Sequence, residues 1–164
     1  MNVFLGLGSN IGNRKANIVL ALSILQSSGF VSIKDFSSFY ETSPIGPKQR
    51  NFYNICIRAD TLLEPLKLLD LIKDIENLMG RKKAKKWTAR IIDIDILFFG
   101  NKIVKNDRLN IPHKEIKNRL FVLIPLSEIA PNLLFPNSNK KIKDILKDKL
   151  LTLNCQKIKI APRS

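Results

Sequence analysis

The chain has little cysteine and no long apolar segment. Its 164 residues include two cysteines, Cys56 and Cys155, and no apolar run approaches the roughly 20 residues that span a bilayer. Two cysteines cannot build a disulfide framework, and nothing near them has the spacing of a metal site. The opening MNVFLGLGSN lacks the cationic start of a signal peptide. We therefore expect a cytoplasmic protein with no membrane segment.

Acidic residues are scarce as well. Aspartate and glutamate number 14 against 28 lysines and arginines, which gives a formal net charge of +14. Such a charge is typical of proteins that bind nucleic acid. The lysines, however, are spread along the whole chain, so we expect solvated basic faces and no obligatory nucleic-acid partner. The diffuse positive field would still attract anionic nucleotides.

The length favours one domain over residues 1–164. A chain of this size can bury a substantial core, and it is short for two domains. The residues from about 150 onward form a basic tail that we expect to be mostly solvated.

The glycines near the start do not form a recognised nucleotide-binding motif. Gly6, Gly8 and Gly12 are spaced G-x-G-x-x-x-G, one residue off the dinucleotide fingerprint, and the chain has no G-x-x-x-x-G-K-[ST]. We interpret them as a tight connection between a strand and a helix. A dinucleotide site is the alternative.

Hydrophobic periodicity predicts an α+β fold with elements in the order β-α-β-β-α-β, followed by further helices. The two central strands are joined by a loop rich in proline and glycine, so they should be antiparallel, with the helices packed on one face of the sheet. The predicted strands cover 2–8, 30–40, 52–59 and the segment around 93–95. The predicted helices cover 14–26, 64–79, 114–128 with an interruption at Pro125, and 142–150.

The acidic strand is the centre of the functional interpretation. Side chains alternate along a strand, so Asp93 and Asp95 share one face, while Ile92, Ile94 and Ile96 point to the other. The Cα atoms of the two aspartates would lie about 6.5–7 Å apart, and their carboxylates repel unless a cation lies between them. The pattern favours a divalent-metal site, with an acidic solvent face as the alternative.

A basic segment precedes that strand. It runs from Gly80 to Arg90 and contains no acidic residue. Mg²⁺ held by carboxylates beside mobile Lys and Arg side chains suits a polyphosphate, because metal and cations neutralise the transferred group. The basic residues of the segment are Arg81, Lys82, Lys83, Lys85, Lys86 and Arg90.

A second set of residues suits a flat heterocycle. Phe52 and Asn54 share one face of their strand, where an aromatic ring can stack and an amide can form hydrogen bonds. The loop at 41–47 is fixed by two prolines and a glycine and offers backbone groups to a ligand. The alternatives are that Asn54 is an edge residue of the sheet and that the loop is only a connector.

Four segments together resemble the 6-hydroxymethyl-7,8-dihydropterin pyrophosphokinase family. They are GLGSNIG, TSPIGPKQRNFYN, GRKKAKKWTARIIDIDILFFG and NDRLNIPHKEIKNRLFVLIPLSEIAP. The resemblance implies a monomeric, ferredoxin-like enzyme of folate synthesis that transfers the diphosphate of ATP to the pterin hydroxymethyl group and releases AMP. An RNA-binding module is the rival class, since small α+β folds also bind RNA through sheet aromatics, but the aromatic-glycine signature of such sheets is missing.

The resemblance also implies roles by motif position. Asp93 and Asp95 would hold two Mg²⁺ ions, and Arg81 and Arg90 would reach the phosphates of ATP. Further residues on the ATP side would be Lys83, Trp87 packing the basic loop over the site, Ile96 through its backbone, Arg108, His113 and Arg119. Residues that would bind 6-hydroxymethyl-7,8-dihydropterin are Thr42, Ser43, Ile45, Phe52, Asn54 and Phe121.

Overall fold

The computed structural model describes residues 1–80, 89–136, 138–152 and 157–162. The strands are β1 (Asn2–Ser9), β2 (Val31–Phe36), β3 (Tyr40–Thr42), β4 (Phe52–Thr61), β5 (Asp93–Phe99), β6 (Val104–Lys105), β7 (Asn110–Ile111) and β8 (Ile158–Ile160). The helices are α1 (Arg14–Ser27), α2 (Pro65–Leu78), α3 (Leu120–Ile129) and α4 (Ile142–Leu150), with a 3-10 helix at Ile116–Asn118. Within these ranges, no helix has the length and apolar character needed to cross a membrane.

One antiparallel sheet places the acidic strand beside the strand that carries Asn54. Its order is β5-β1-β4-β3-β8, with β2 pairing a different part of β4. In β1, Gly8 lies opposite Asn54 of β4 and Asp93 of β5, and Gly6 lies opposite Asp95. Gly6 and Gly8 therefore leave a surface without side chains between the Asn54 amide and the carboxylates of Asp93 and Asp95. We call this surface the glycine floor.

The helices cover both faces of the sheet. One apolar core includes residues of α1 and α2 together with Ile92, Ile94 and Ile96, as the strand alternation predicts. The other core joins Cys56 and Leu97 to α3 and α4. The prediction that helices pack on one face was therefore wrong for the C-terminal helices, whose apolar residues cover the opposite face.

The predicted helices before residue 80 are confirmed, with one exception on the buried face. Asn13 caps α1 by accepting a hydrogen bond from the backbone N–H of Ala16 at 3.0 Å. Gly80 follows α2 with a φ of 86°, a left-handed conformation that glycine adopts readily. Leu78, which continues the apolar periodicity of α2, is instead 74 % exposed. It occupies the last position of the helix.

The predicted strand over 30–40 is divided into β2 and β3, both of which pair with β4. The register of the β2–β4 pairing shifts between Ile33 and Asp35. After β2, the buried Ser37 forms hydrogen bonds to β4 in place of regular strand pairing. Its hydroxyl oxygen accepts from the backbone N–H of Cys56 at 3.0 Å, while its own N–H donates to the carbonyl of Cys56 at 2.9 Å. The prediction of one continuous strand was wrong because a side-chain hydrogen bond interrupts the pairing.

The predicted helix over 114–128 is interrupted at a different residue. Arg119 is extended, with φ −121° and ψ 101°, and separates the 3-10 helix from α3. Pro125 lies inside α3 without ending it. A proline removes one hydrogen bond of the helix. Here the packing of Leu123 and Leu126 in the core offsets that loss.

The described residues of the tail are mostly exposed, as predicted, but the end of the tail also pairs with the sheet, which was not predicted. Residues 158–160 form β8, which pairs with β3 at the edge of the sheet, and Ala161 is buried. A strand of three residues is too short to produce a periodic pattern in the sequence.

Candidate active site

A cavity of about 200 Å³ opens on the face of the sheet that carries α3. The glycine floor of β1 lies between its walls, one formed by β5 and Arg119 and the other by β4 and the loop after β3. The residues proposed above that line it are Thr42, Ser43, Ile45, Phe52, Asn54, Arg90, Asp93, Asp95, Arg119 and Phe121. The metal-binding and heterocycle-binding sets, derived separately, therefore share one cavity.

The two aspartates each have a cationic neighbour. Arg90 forms an ion pair with Asp93, and Arg119 Nη1 lies 3.9 Å from Asp95 Oδ2. About a third of the Asp95 side chain is open to the cavity, at 34 % exposure, but the surrounding protein still desolvates it. This desolvation, together with repulsion from Asp93, raises the pKa of Asp95, and the charge of Arg119 opposes the shift.

The donor set fits a hard divalent cation. Carboxylate oxygens are the ligands that Mg²⁺ prefers, and a cation beside Asp93 and Asp95 would relieve the repulsion that raises the pKa of Asp95. Among the residues that the structure describes, no group of three His, Cys, Asp or Glu residues is arranged to hold a metal. The other ligands would therefore come from water and from phosphate oxygens, as is usual for Mg²⁺.

The other end of the cavity is aromatic and carries an amide. Asn54 is buried, and its Nδ2 donates to the hydroxyl of the buried Thr42 at 2.7 Å. Phe52 and Phe121 both line the space, and the guanidinium of Arg119 lies 5.6 Å from the Phe121 ring centroid. A flat ring system held here could stack on phenyl groups and meet a fixed amide at its edge.

Three residues implied on the ATP side do not line the cavity. The side chain of Ile96 is buried in the core with α1 and α2, so only its backbone could meet a ligand. Arg108 forms an ion pair with Asp70 on α2. Their contacts with ATP stay predictions.

The third of these residues, His113, is held as a neutral ring. Its Nδ1 accepts from the backbone N–H of Glu115 at 3.2 Å, which leaves the proton on Nε2. Desolvation lowers the pKa of His113, and the charge of Arg119 lowers it further. The backbone N–H of His113 donates to the backbone carbonyl of Leu97, a cavity residue, at 3.0 Å. His113 is therefore a candidate hydrogen-bond donor beside the cavity.

The proposed contacts of Arg81, Lys83 and Trp87 lie outside the described residues. Arg90, at the end of the same basic segment, is described and lines the cavity.

Asn10 is a site residue that the sequence reasoning missed. Its buried side chain accepts from the backbone N–H of Arg90 at 2.7 Å and donates to Gln49 Oε1 at 3.0 Å and to the Arg50 carbonyl at 3.2 Å. The sequence places it only in the connection between the first strand and α1. Its position after two glycines gave no sign of contacts 39 to 80 residues away.

Glu76 is a second missed residue. It is 1 % exposed, and its Oε1 accepts at 2.8 Å from the N–H of Ile94, between the two aspartates. Its Oε2 accepts from Lys73 at 2.8 Å. A glutamate on the apolar stripe of α2, next to Ile75, was the available signal, because buried carboxylates require partners.

Gly8 was interpreted only as part of a tight connection. Because it has no side chain, it also leaves room for the Asn54 amide. A methyl group added at Gly8 would lie 2.7 Å from Asn54 Oδ1, too close for the amide to stay where it is. The same addition at Gly6 would meet only the Leu97 side chain, at 3.5 Å. Gly8 therefore leaves the space that the Asn54 amide occupies.

Comparison with known sequences identifies related proteins over nearly the whole chain. The family model described as 7,8-dihydro-6-hydroxymethylpterin-pyrophosphokinase (HPPK) matches residues 4–131. A Haemophilus influenzae protein named 2-amino-4-hydroxy-6-hydroxymethyldihydropteridine pyrophosphokinase is 38 % identical over 158 residues, which cover 94 % of this chain and 99 % of the relative. An Aquifex aeolicus protein of the same name is 38 % identical, with 96 % and 98 % covered.

Solved structures share the fold. A Plasmodium falciparum HPPK-DHPS in complex with SDX-DHP superposes with a TM-score of 0.70 at 20 % identity, over 92 % of this chain. A variant of that protein, solved with pterin and p-hydrobenzoate, gives a TM-score of 0.71 at 18 % identity. This chain spans 44 % of the length of each of those chains. At such identities the likeness concerns the fold.

Proposed function

Because the chain belongs to the 7,8-dihydro-6-hydroxymethylpterin-pyrophosphokinase family, we propose that its cavity binds 6-hydroxymethyl-7,8-dihydropterin beside an Mg²⁺ site at Asp93 and Asp95. The family activity is the transfer of the diphosphate of ATP to the hydroxymethyl group, with release of AMP, in folate biosynthesis. The observation that carries the proposal is that the paired carboxylates and the aromatic and amide side chains line one cavity.

The pterin ring occupies the end of the cavity at Phe52 and Phe121. The volume of about 200 Å³ is below the roughly 300–1,000 Å³ of pockets for drug-sized ligands, so it suits one small ring system. Asn54, Thr42 and the backbone groups from Ser43 to Ile45 then provide the hydrogen bonds that read the ring edge. Stacking and edge recognition together orient the hydroxymethyl group towards the carboxylates.

The triphosphate of ATP lies over the opposite end, outside the ring pocket. Arg90 and Arg119 line the cavity there, so their guanidinium groups can bind phosphate oxygens. Two Mg²⁺ ions held by Asp93 and Asp95 would neutralise the charge of the phosphates and draw the hydroxyl and the β-phosphate together. The proposed contacts of Arg81, Lys83, Trp87, Arg108 and His113 with ATP extend this arrangement.

The reaction is a substitution at the β-phosphorus. A bond forms between the pterin hydroxyl oxygen and the β-phosphorus. The bond between the β-phosphorus and the oxygen that bridges it to the α-phosphate breaks, and AMP leaves with that oxygen. The hydroxyl proton passes to water. Arg90 and Arg119 compensate the negative charge that spreads over the phosphate oxygens. Positioning of the hydroxyl group in line with the β-phosphorus supplies most of the rate acceleration.

The remaining features of the assignment are proposals as well. The strand order β5-β1-β4-β2 and the two helices that follow β1 and β4 support a ferredoxin-like fold. We propose that residues 1–164 are one domain and that the protein acts as a cytoplasmic monomer, without a membrane or nucleic acid as partner. The distribution of its lysines along the whole chain supports the absence of a nucleic-acid partner.

The proposed function is tested by AMP release from ATP. Purified protein with ATP, Mg²⁺ and 6-hydroxymethyl-7,8-dihydropterin is expected to produce one AMP per pterin diphosphate, and chelation of Mg²⁺ by EDTA should stop the reaction. AMP formation without pterin, or pterin turnover that survives EDTA, would contradict the assignment.

The change of Gly8 to alanine is expected to weaken pterin binding selectively. The added methyl group displaces the Asn54 amide and with it the 2.7 Å hydrogen bond to Thr42. Without an ordered Asn54 amide to form hydrogen bonds with the ring, the KM for pterin should rise by about tenfold. This corresponds to a loss of roughly 1.4 kcal/mol of binding free energy. Steady-state kinetics with each substrate varied in turn measures it.

Gly6→Ala is the matched variant. It adds the same methyl group on the same strand, 3.5 Å from a flexible leucine, so its effect on the pterin KM should be much smaller. Equal effects of the two changes would mean that crowding of the floor, and not the Asn54 amide, determines binding.

A further inference from the structure

The C-terminal strand β8 lies against the segment that forms one wall of the cavity. Ile158 is opposite Thr42 in the β3–β8 ladder. Beyond the ladder, the N–H of Ser43 donates to the Lys157 carbonyl at 3.0 Å, and the N–H of Lys157 donates to the Ser43 hydroxyl at 3.1 Å. Both Thr42 and Ser43 line the cavity. Contacts with the tail therefore reach the wall of the site itself.

Side chains reinforce this pairing. Lys159 Nζ lies 3.0 Å from one carboxylate oxygen of Glu41, and Arg14 lies 2.9 Å from the other. The Arg14 guanidinium is in turn stacked 3.8 Å from the Tyr53 ring centroid. The hydrogen bond from Arg14, followed by that from Lys159, lowers the pKa of Glu41. Glu41 thus connects the tail strand to α1 and β4.

The wall segment depends on its neighbours for order because it is short. β3 has three residues and is followed by a stretch without regular structure up to residue 51. At the other end of the β3–β8 ladder, the N–H of Ala161 donates to the Phe39 carbonyl at 2.7 Å, and Ala161 is buried. Pairing with β8 therefore gives β3 a second hydrogen-bonded edge, in addition to β4.

We propose that β8 is a clasp that holds Thr42 and Ser43 in the position that binds pterin. Residues 157–161, which lie outside the 4–131 matched by the family model, then help to set the affinity of the site for its pterin. The inference rests on the proposed function, because that function assigns Thr42 and Ser43 to the pterin edge.

The test uses two proline variants at neighbouring positions. The Ala161 N–H points to β3, so by alternation the N–H of Lys159 does as well, and that of Ile160 points away. Lys159→Pro therefore removes a ladder donor, whereas Ile160→Pro removes one that faces outward and is tolerated at a sheet edge. Lys159→Glu is a milder variant that keeps the backbone and opposes Glu41 with a like charge.

The clasp predicts an effect on one substrate only. Lys159→Pro should raise the KM for pterin by about tenfold and Lys159→Glu by about threefold, because the binding segment must then be ordered by the ligand. The KM for ATP and kcat should stay within about twofold of wild type, and Ile160→Pro should match wild type. Amide hydrogen exchange at residues 40–43 of the ligand-free protein should be faster in Lys159→Pro and Lys159→Glu.

Other results would overturn the clasp. A lower melting temperature with an unchanged pterin KM in Lys159→Pro and Lys159→Glu would mean that β8 only stabilises the fold. A parallel rise in the KM for ATP would mean that the tail does not act on the wall segment in particular. If wild-type protein did not turn over pterin, the proposed function would fail, and the hydrogen exchange would still decide whether β8 orders residues 40–43.

Discussion

Asp95→Asn is expected to abolish turnover while leaving the protein at least as stable as wild type. The substitution keeps the size of the side chain and one oxygen but removes half of the paired charge that would hold Mg²⁺. We expect kcat to fall by about a thousandfold, comparable with the loss of a principal electrostatic group in other enzymes. Single-turnover measurement of AMP release at saturating ATP and Mg²⁺ tests the change.

Whereas turnover should fall, the free energy of unfolding of Asp95→Asn should stay the same or rise. Desolvation and Asp93 raise the pKa of Asp95 in the folded protein, so its ionised form opposes folding at neutral pH. For an acid with a raised pKa, stability grows as pH falls through the folded pKa towards the lower unfolded pKa, and a neutral amide removes the penalty of the ionised form. The melting temperature of Asp95→Asn at neutral pH should equal or exceed that of wild type.

Asp60→Asn is the control for this experiment. Asp60 is a carboxylate on β4 that lies 3.9 Å from Lys34, outside the cavity, so its loss changes the net charge equally and should leave turnover intact. Unfolding of Asp95→Asn would mean that the acidic pair is structural, and full activity in the folded variant would remove Asp95 from the mechanism.

Glu76→Leu is expected to impair both stability and activity, although Glu76 does not line the cavity. The leucine leaves the buried N–H of Ile94 without its carboxylate acceptor, a loss of about 1–3 kcal/mol of unfolding free energy. Because Ile94 lies between Asp93 and Asp95, the carboxylates lose their alignment. Turnover should fall by about 10- to 100-fold, as for other residues that orient metal ligands.

Glu76→Gln separates position from charge. Glutamine retains an oxygen for the Ile94 N–H, and Lys73, which is 48 % exposed, can turn to water. We expect this variant to recover most of the activity and stability that leucine loses. Urea unfolding and Mg²⁺ titration of turnover measure the two effects, and equal defects in both variants would mean that the charge of Glu76 matters and its hydrogen bond does not.

The parts of the site that could be predicted from sequence depend on local alternation. Asp93 and Asp95 separate from Ile94 because successive strand residues face opposite sides, and Phe52 and Asn54 share a face for the same reason. The strand pattern holds whatever the rest of the chain does. The sequence alone therefore predicts which of these residues share a face, and the structure confirms it.

The missed residues depend on contacts between distant parts of the chain. The hydrogen bond of Glu76 spans 18 residues and that of Asn10 to Arg90 spans 80, and no periodic pattern encodes either. Ser37 divides a predicted strand through one hydroxyl group, and β8 is too short to have a pattern. In each case tertiary hydrogen bonds, and not local propensity, decided the structure.

Asn10 has a consequence for how the two substrates bind. One buried amide joins the backbone at Arg90, on the phosphate side, to Gln49 and Arg50, which follow the loop on the pterin side. We expect a ligand that shifts one of these segments to shift the other through this amide. The binding free energies of ATP and pterin would then be coupled, and by reciprocity each substrate would change the affinity for the other by the same factor.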